Sequence, residues 1–240
     1  MKSILLVIPI AAFCVFISCD KEEEERTIDL NYNPVINPSN FSQQQSNDYF
    51  PMMFGNTYIY HATTPGGEED IQVSVQAETK TILGVTCSVV RDVVSSGGQL
   101  IEDTYDWYAV DNDGNVWYFG EDVSNYENGI FQDKDGSFEA GVDGALPGIV
   151  MMDDPVMELP YRQEYYFNQA EDWGKVVATG LTVATPYGEF TNCLKTADWN
   201  ALEPDAPLEF KYYAPGYGLI REETEDGSEV VELINIGVSK

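Results

Sequence analysis

The side chains able to do chemistry in this chain are carboxylates, aromatic rings and a few cysteines, while histidine chemistry has almost nothing to work with. His61 is the only histidine, so a Ser-His-Asp relay or a multi-histidine metal site would have to be built on one residue beside a turn-rich segment. Glycoside hydrolysis needs only two carboxylates about 5 to 9 Å apart, but 41 acidic residues offer no spacing that selects a pair. Asp111-Asn112-Asp113-Gly114-Asn115 and Asp133-Lys134-Asp135-Gly136-Ser137 gather the oxygen ligands that calcium takes about six to eight at a time. Neither is an EF-hand loop: glycine stands fourth rather than sixth, and Asp122 and Gly144 occupy the place of the twelfth-position Glu. Calcium, if bound, would be held by Asp111, Asp113 and Asn115; a plain hairpin turn is the competing reading.

The chain has 15 Tyr, 11 Phe and 4 Trp. Trp107, Tyr108, Trp117, Tyr118 and Phe119 gather in one hairpin-like segment, and Tyr212, Tyr213 and Tyr217 in a second. Alternation sends some of these rings inward, where they pack a core, and others outward. An outward ring beside a carboxylate suits a sugar face or an apolar small molecule, which makes Trp107, Trp117, Tyr118, Tyr212 and Tyr217 candidate ligand-binding residues. Cys87 and Cys193 have no short-range partner for a metal or redox motif. In an oxidising compartment they could pair across a loop of about 100 residues, stabilising by up to about 4.7 kcal/mol. Otherwise they are two buried small apolar side chains.

Cys19 belongs to a different chemistry. Lys2, an apolar run over residues 4–17 and the small Ser18 precede it, which reads as a signal peptide (1–18) cleaved so that the cysteine thiol and new amino terminus can be acylated. The run is shorter than the roughly 20 apolar residues of a membrane-spanning helix. Cys14 is the rival position, but bulky Phe13 stands before it, and Phe16 replaces the leucine usual ahead of a lipidated cysteine. An ordinary cleaved signal or an uncleaved anchor is the alternative. Two acyl chains, palmitate among them, hold a protein to a membrane stably. Asp20 and the run Glu22-Glu23-Glu24-Glu25 resemble either an inner-membrane retention signal or the surface-export signal of Bacteroidota lipoproteins, or simply solvate a linker. We take the surface reading, an outer-membrane protein lipid-anchored at the cell surface, with a periplasm-facing protein as the alternative.

Residues 19–48 are polar and aperiodic, rich in Asn, Pro, Ser and Gln, and read as a disordered linker. Residues 49–240 are long enough for one core and one domain. With 12 basic against 41 acidic residues the net charge is −29. Such a field repels nucleic acid, anionic headgroups and acidic glycans and concentrates cations.

Ile71, Val73, Val75 and Ala77 alternate with polar residues, the period of a half-buried strand. Similar stretches over 57–62, 85–94, 101–110, 115–121, 165–169, 175–184, 190–197, 208–214, 219–225 and 230–237 are separated by turn pairs such as Asp113-Gly114 and Asp226-Gly227. A short helix fits only between residues 154 and 166, and 144–160 reads as an irregular cover over one end of the sheet. Cys87 to Trp107 is 20 residues and Cys193 to Tyr212 is 19, which points to an internal duplication over about 54–121 and 161–225. The expected fold is all-β: a curled antiparallel sheet, half-barrel or barrel, built from two similar units, with a β-sandwich as the alternative.

The strings Asp106-Trp107-Tyr108-Ala109, Gly114-Asn115-Val116-Trp117-Tyr118-Phe119-Gly120-Glu121 and Tyr212-Tyr213-Ala214-Pro215-Gly216-Tyr217-Gly218-Leu219 resemble a group of uncharacterised Bacteroidota-type envelope lipoproteins across most of residues 50–236. The resemblance implies envelope location and a β domain; it implies no activity, cofactor or catalytic residue. The expected function is a non-enzymatic, monomeric binding or interaction module on a lipid tether, taking a glycan or apolar ligand. A structural partner-contact protein and a glycan hydrolase working through a carboxylate pair are the alternatives.

Overall fold

The structure, a computed structural model, describes residues 31–238. The signal segment, Cys14, Cys19 and the acidic run after it lie outside the described residues. Fifteen strands form one sheet: β1 (Asn56–Thr64), β2 (Gly67–Ile82), β3 (Val85–Ser96), β4 (Gln99–Val110), β5 (Val116–Glu127), β6 (Ile130–Phe131), β7 (Phe138–Glu139), β8 (Leu146–Met151), β9 (Tyr161–Arg162), β10 (Glu164–Tyr165), β11 (Asp172–Thr185), β12 (Gly188–Asn200), β13 (Glu209–Ala214), β14 (Gly218–Thr224) and β15 (Val230–Val238). Among the described residues the only helical element is the 3-10 turn Pro38–Asn40. The helix allowed for between residues 154 and 166 is absent; that stretch contains turns and the two short strands β9 and β10.

Around the sheet the strands run β10, β8, β5, β4, β3, β2, β1, β15, β14, β13, β12, β11, β9, with β6 and β7 attached to β5. The meanders β2 to β5 and β11 to β14 proceed in the same sense, and β1 and β15 join them, with Thr57 opposite Gly237 and Thr63 opposite Val230. Long twisted strands with short turns curl such a sheet until its ends meet. Here the two end strands are consecutive in the chain, separated only by Gln163. Arg162 pairs with Trp173 of β11 on one side, and Glu164 pairs with Pro147 of β8 on the other. The segment from Tyr161 to Tyr165 therefore staples the single seam of a nearly closed barrel. This is the curled antiparallel sheet the alternation predicts, and it replaces the sandwich.

Two glycines make the seam geometrically feasible. A Cβ on Gly148 of β8 would collide with the backbone of Arg162 and Gln163, and one on Gly174 of β11 would collide with the Gln163 side chain. The seam is also guarded by Tyr32, whose hydroxyl donates to the Pro147 carbonyl at 2.8 Å and whose ring meets Tyr165 edge-on.

Residues 32–48 therefore belong to the folded body, which corrects the boundary drawn from composition. Ile36 and Phe41 pack on a cluster formed by the outer side chains Cys87, Val89, Trp107 and Ala109 with Ile82, Val85, Phe119 and Ala140. The buried Asn47 amide donates to the Gly114 carbonyl at 3.0 Å. A few apolar residues in a polar stretch are enough to cover an apolar strip that the barrel leaves exposed. The sheet is thus buried on both faces over part of its circumference. A second cluster joins Tyr58, Tyr60, Phe190, Cys193, Ile220 and Leu233.

The two cysteines sit in these separate clusters and both thiols are free and buried. The disulfide reading is corrected to the alternative of two buried thiols: the strands carrying them, β3 and β12, lie six places apart around the sheet.

Candidate functional site

Period-two alternation decides which residues reach the barrel interior. Tyr58 and Tyr60 of β1, Val73 and Val75 of β2, Val90 and Asp92 of β3, Asp106 and Tyr108 of β4, Asp198 of β12, Lys211 and Tyr213 of β13 and Glu222 of β14 all line a cavity of about 310 Å³. A second space of about 340 Å³ shares Tyr60, Val73, Asp92, Leu219 and Glu222 with it and continues past Glu69, Glu102 and Glu229. Asp92 and Glu222 stand where the two spaces meet. A third space, about 410 Å³, lies between the N-terminal segment and the β3–β4 side; Asp48 is its only charged lining residue.

The walls of the interior are hydrocarbon and aromatic. Tyr108 stacks on Tyr118 with centroids 4.9 Å apart, and Phe50 meets Tyr108 at 5.0 Å. Into this wall several carboxylates are set at positions where alternation would ordinarily place apolar side chains. The Tyr118 hydroxyl donates to Asp106 Oδ1 at 2.7 Å. Asp198, only 3% exposed, accepts from Gln163 Nε2 at 3.1 Å and faces Lys211 Nζ at 3.4 Å. Lys211 also lies 3.6 Å from Glu209 and 4.0 Å from Glu222. Asp92 Oδ1 is buried with no hydrogen-bond partner.

Low dielectric disfavours the ionised form, so these acids hold their protons unusually well. Burial, reinforced by the charges of Asp106, Glu102 and Glu222, pushes Asp92 up to about 8, with the Val93 amide pulling slightly the other way. Burial raises Asp106 to about 7 against the pull of the Tyr118 hydrogen bond, and Glu121 to about 8 with Asp106 and Glu102 adding to it. Glu222 rises to about 7 by burial, although Lys211 draws it down. At the seam, burial and the neighbouring Asp172 hold Glu164 well above the carboxylate range, so this pair shares a proton. Burial alone would discharge Lys211, but Glu222, Asp198 and Glu209 outweigh it and keep the ammonium charged. Near neutral pH the interior therefore holds one fixed cation and a set of carboxyls poised between protonated and ionised. An ammonium or another hydrogen-bond donor entering the cavity would meet acceptors already stripped of water.

Of the five rings selected from sequence, Tyr217 alone lines the cavity; it is 41% exposed and meets Phe190 edge-on. Tyr118 contributes through its bond to Asp106. Trp107 is on the outer face beneath the N-terminal segment, with Lys80 Nζ 3.2 Å from its ring centroid. Trp117 donates from Nε1 to Asp111 Oδ2 at 2.8 Å, and the Tyr212 hydroxyl donates to Glu223 on the outside. The aromatic hairpins do reach the interior, but through Tyr108 and Tyr213, one residue along from Trp107 and Tyr212. That single step is a change of sheet face.

The Asp111, Asp113, Asn115 set is a turn lock. Asp111 Oδ1 accepts the amides of Asp113 and Asn115 at 3.0 and 2.9 Å, and Oδ2 accepts Asn115 Nδ2 and Trp117 Nε1 at 3.0 and 2.8 Å. Each oxygen of Asp111 thus accepts two hydrogen bonds within its own turn. Among the described residues no group of three or more His, Cys, Asp or Glu side chains is arranged to hold a metal ion. His61 lies on the outer surface between Glu68 at 2.8 Å and Asp70 at 3.2 Å, and its hydrogen bonds to those two raise its pKa.

Asp92, Asp106, Asp198, Lys211 and Glu222 were not singled out by sequence reasoning. The available signal was parity: all but Asp198 share a strand face with an apolar or aromatic residue two places away, as in Val90 with Asp92, Asp106 with Tyr108, Lys211 with Tyr213 and Ile220 with Glu222. A charge on the buried face of a strand is costly and therefore informative.

No family model matches the chain, and no curated protein does. Two solved structures are similar in fold. A protein described as exported, with a YmcC-like fold, from Bacteroides fragilis aligns with 80% of this chain over 99% of its own, at TM-score 0.43 and 17% identity. One described as a lipoprotein from Parabacteroides distasonis aligns with 81% of this chain over 100% of its own, at TM-score 0.41 and 14% identity. Likeness at these scores bears on neither family nor function.

Proposed function

We propose that the protein is a cell-envelope lipoprotein, held to the outer membrane through acyl chains on Cys19 and exposed at the cell surface, which takes a small ligand into its barrel. The observation that carries the binding reading is the interior cavity of about 310 Å³ in which an apolar wall from six or more strands is interrupted by Asp92, Asp106, Asp198, Lys211 and Glu222. Its size falls at the lower end of small-molecule sites, about 300 to 1,000 Å³, and an apolar pocket with a few convergent polar groups is their usual chemistry. A core serving stability alone would be filled with hydrocarbon. The tether reading rests on the sequence before Cys19. Because Tyr32 is fixed at the seam, only 12 residues lie between the acylated cysteine and Tyr32, a reach of at most about 45 Å.

The binding half is tested with the neutral fluorophore N-phenyl-1-naphthylamine. Its emission rises on entering the wild-type interior, and Val73→Trp, which fills the wall shared by both spaces, weakens binding at least tenfold at an unchanged fold. Val90→Phe serves as the second filling variant. Unaltered probe binding in both variants places the probe elsewhere and removes the interior as the site. For the tether, the mature protein carries acyl mass on Cys19; a Cys19→Ala protein that is still processed and still partitions into detergent refutes the anchor.

A further inference from the structure

The interior and its mouth are matched to one sign of charge. Around the second space stand Glu69, Asp92, Glu102, Glu222 and Glu229, and no lining residue there is basic. The only cation lining the deeper cavity, Lys211, already faces Asp198, Glu209 and Glu222. Asp92 stands at the junction of the two spaces with a buried oxygen that nothing in the protein satisfies. A buried polar atom without a partner is costly, and the acidic groups lining the same space favour a partner that carries positive charge. Beside it Val73 and Leu219 offer hydrocarbon, and the Tyr60 hydroxyl is already donated to the Leu219 carbonyl at 2.9 Å, leaving that ring as an apolar surface.

A metal dication does not fit this arrangement. The acids are dispersed over β2, β3, β4, β14 and the turn before β15, and among the described residues no group of them closes on a point. An anion would meet a wall of carboxylates. A neutral polyol could donate to Asp92 but would draw nothing from the acidic groups that ring the mouth.

We propose that the barrel interior binds an organic ammonium ion, a primary amine or short diamine on an apolar body, with the charged end received by Asp92 between Glu102 and Glu222. The proposal rests on the interior being a ligand site and names the class of ligand. The ammonium enters past Glu69 and Glu229, whose field raises its local concentration, and its hydrocarbon lies along Val73 and Leu219. Binding is linked to protons. The groups that face Asp92 are Asp106, Glu102 and Tyr108 from β4, Glu222 from β14 with Lys211 behind it, and Tyr60 from β1. Burial raises Asp92, Asp106 and Glu222 to about 8, 7 and 7, so an ammonium arriving at pH 7 displaces a proton, and affinity rises as pH increases from 6 to 8.

The test is calorimetric titration of the intact protein with n-hexylammonium, using 1-hexanol and hexanoate as equal-length neutral and anionic controls. At pH 8 the ammonium binds at least tenfold more tightly than hexanol, and hexanoate does not bind. Asp92→Asn loses at least tenfold in ammonium affinity while hexanol affinity stays within twofold; Glu102→Gln, which removes a neighbouring acid and leaves the unsatisfied oxygen in place, gives a smaller loss of the same sign. Measurements in two buffers of different ionisation enthalpy show proton release on ammonium binding at pH 7. Equal affinity for ammonium and alcohol, or an Asp92→Asn protein that binds ammonium as well as wild type, overturns the proposal. If N-phenyl-1-naphthylamine still enters the wild-type interior in that case, the ligand class alone is wrong; if neither it nor any hexyl compound binds, the interior reading falls too.

Discussion

Replacing Asp92 by Asn should make the protein more stable, and increasingly so as pH rises. The carboxyl moves from 3.8 in the unfolded chain to about 8 in the barrel because burial, and then the charges of Asp106, Glu102 and Glu222, disfavour its ionised form. Between those two values the folded state binds a proton that the unfolded state does not, so stability falls as pH increases through the window. Below about pH 4 the group costs nothing; above about pH 8 the penalty is complete. At about 1.4 kcal/mol per pH unit the ceiling is about 6 kcal/mol. Asp92 lines spaces that open to water, which screens it, so we expect about 3 kcal/mol at pH 9, equivalent to about 6 to 12 °C in Tm for a domain of this size. Asn keeps the shape and donates as well as accepts. Thermal and urea unfolding of wild type and Asp92→Asn at pH 5 and pH 9 would show a small gain at the lower pH and the larger one at the higher. An equal shift at both, or a loss at pH 9, refutes the reading of Asp92 as a charge held against the stability of the fold. Retaining a destabilising acid in a cavity is the usual signature of a site kept for a ligand.

Three further outcomes follow from the geometry. Gly148→Ala should lower stability by about 3 kcal/mol in urea unfolding, because the new methyl meets the backbone of Gln163 where the chain staples the seam; a change under about 0.5 kcal/mol would show the seam to be loose. In native protein without reductant neither Cys87 nor Cys193 should react with a thiol reagent, since both are buried and burial pushes the Cys87 thiol up to about 12; in denaturant both should react, and a requirement for prior reduction would reveal a disulfide. Asp111→Ala should cost about 2 to 4 kcal/mol through four lost hydrogen bonds to one carboxylate, while exchanging chelator for millimolar calcium leaves the wild-type Tm unchanged; a calcium-dependent rise of several degrees would restore the metal reading.

Much of the fold was legible because a strand writes its two faces into residues i and i+2. The alternation at Ile71, Val73 and Val75 and the Asp-Gly pairs locate the long strands β1 to β5 and β11 to β15 within a few residues. The short strands β6 to β9 escaped: two residues show no period, and β8, with Pro147 and Gly148 in its middle, reads as a loop; the strand expected over 165–169 keeps only Tyr165, in β10, and turns at 167–169. Those inconspicuous pieces close the barrel. Residues 32–48 misled for a related reason, since composition averages over a stretch whose structural role depends on Ile36 and Phe41 finding an uncovered strip outside β3 to β5. The interior was displaced by one residue at two positions: Trp107 and Tyr212 attract attention as large rings, yet Tyr108 and Tyr213 line the cavity together with Tyr217.

By itself the sequence determines an acidic, strand-dominated chain, with charges at inward-parity positions along several strands. Those properties are local: they depend on residue type, on spacing of two and on net charge. Only the tertiary structure decides that Asp92, Asp106, Asp198, Lys211 and Glu222, up to 130 residues apart in the chain, face one another across one water-poor space. The physical reason is closure: a carboxylate on an open sheet is solvated and unremarkable, and it becomes a perturbed, partner-seeking group only when the sheet curls and the segment around Gln163 joins its two edges.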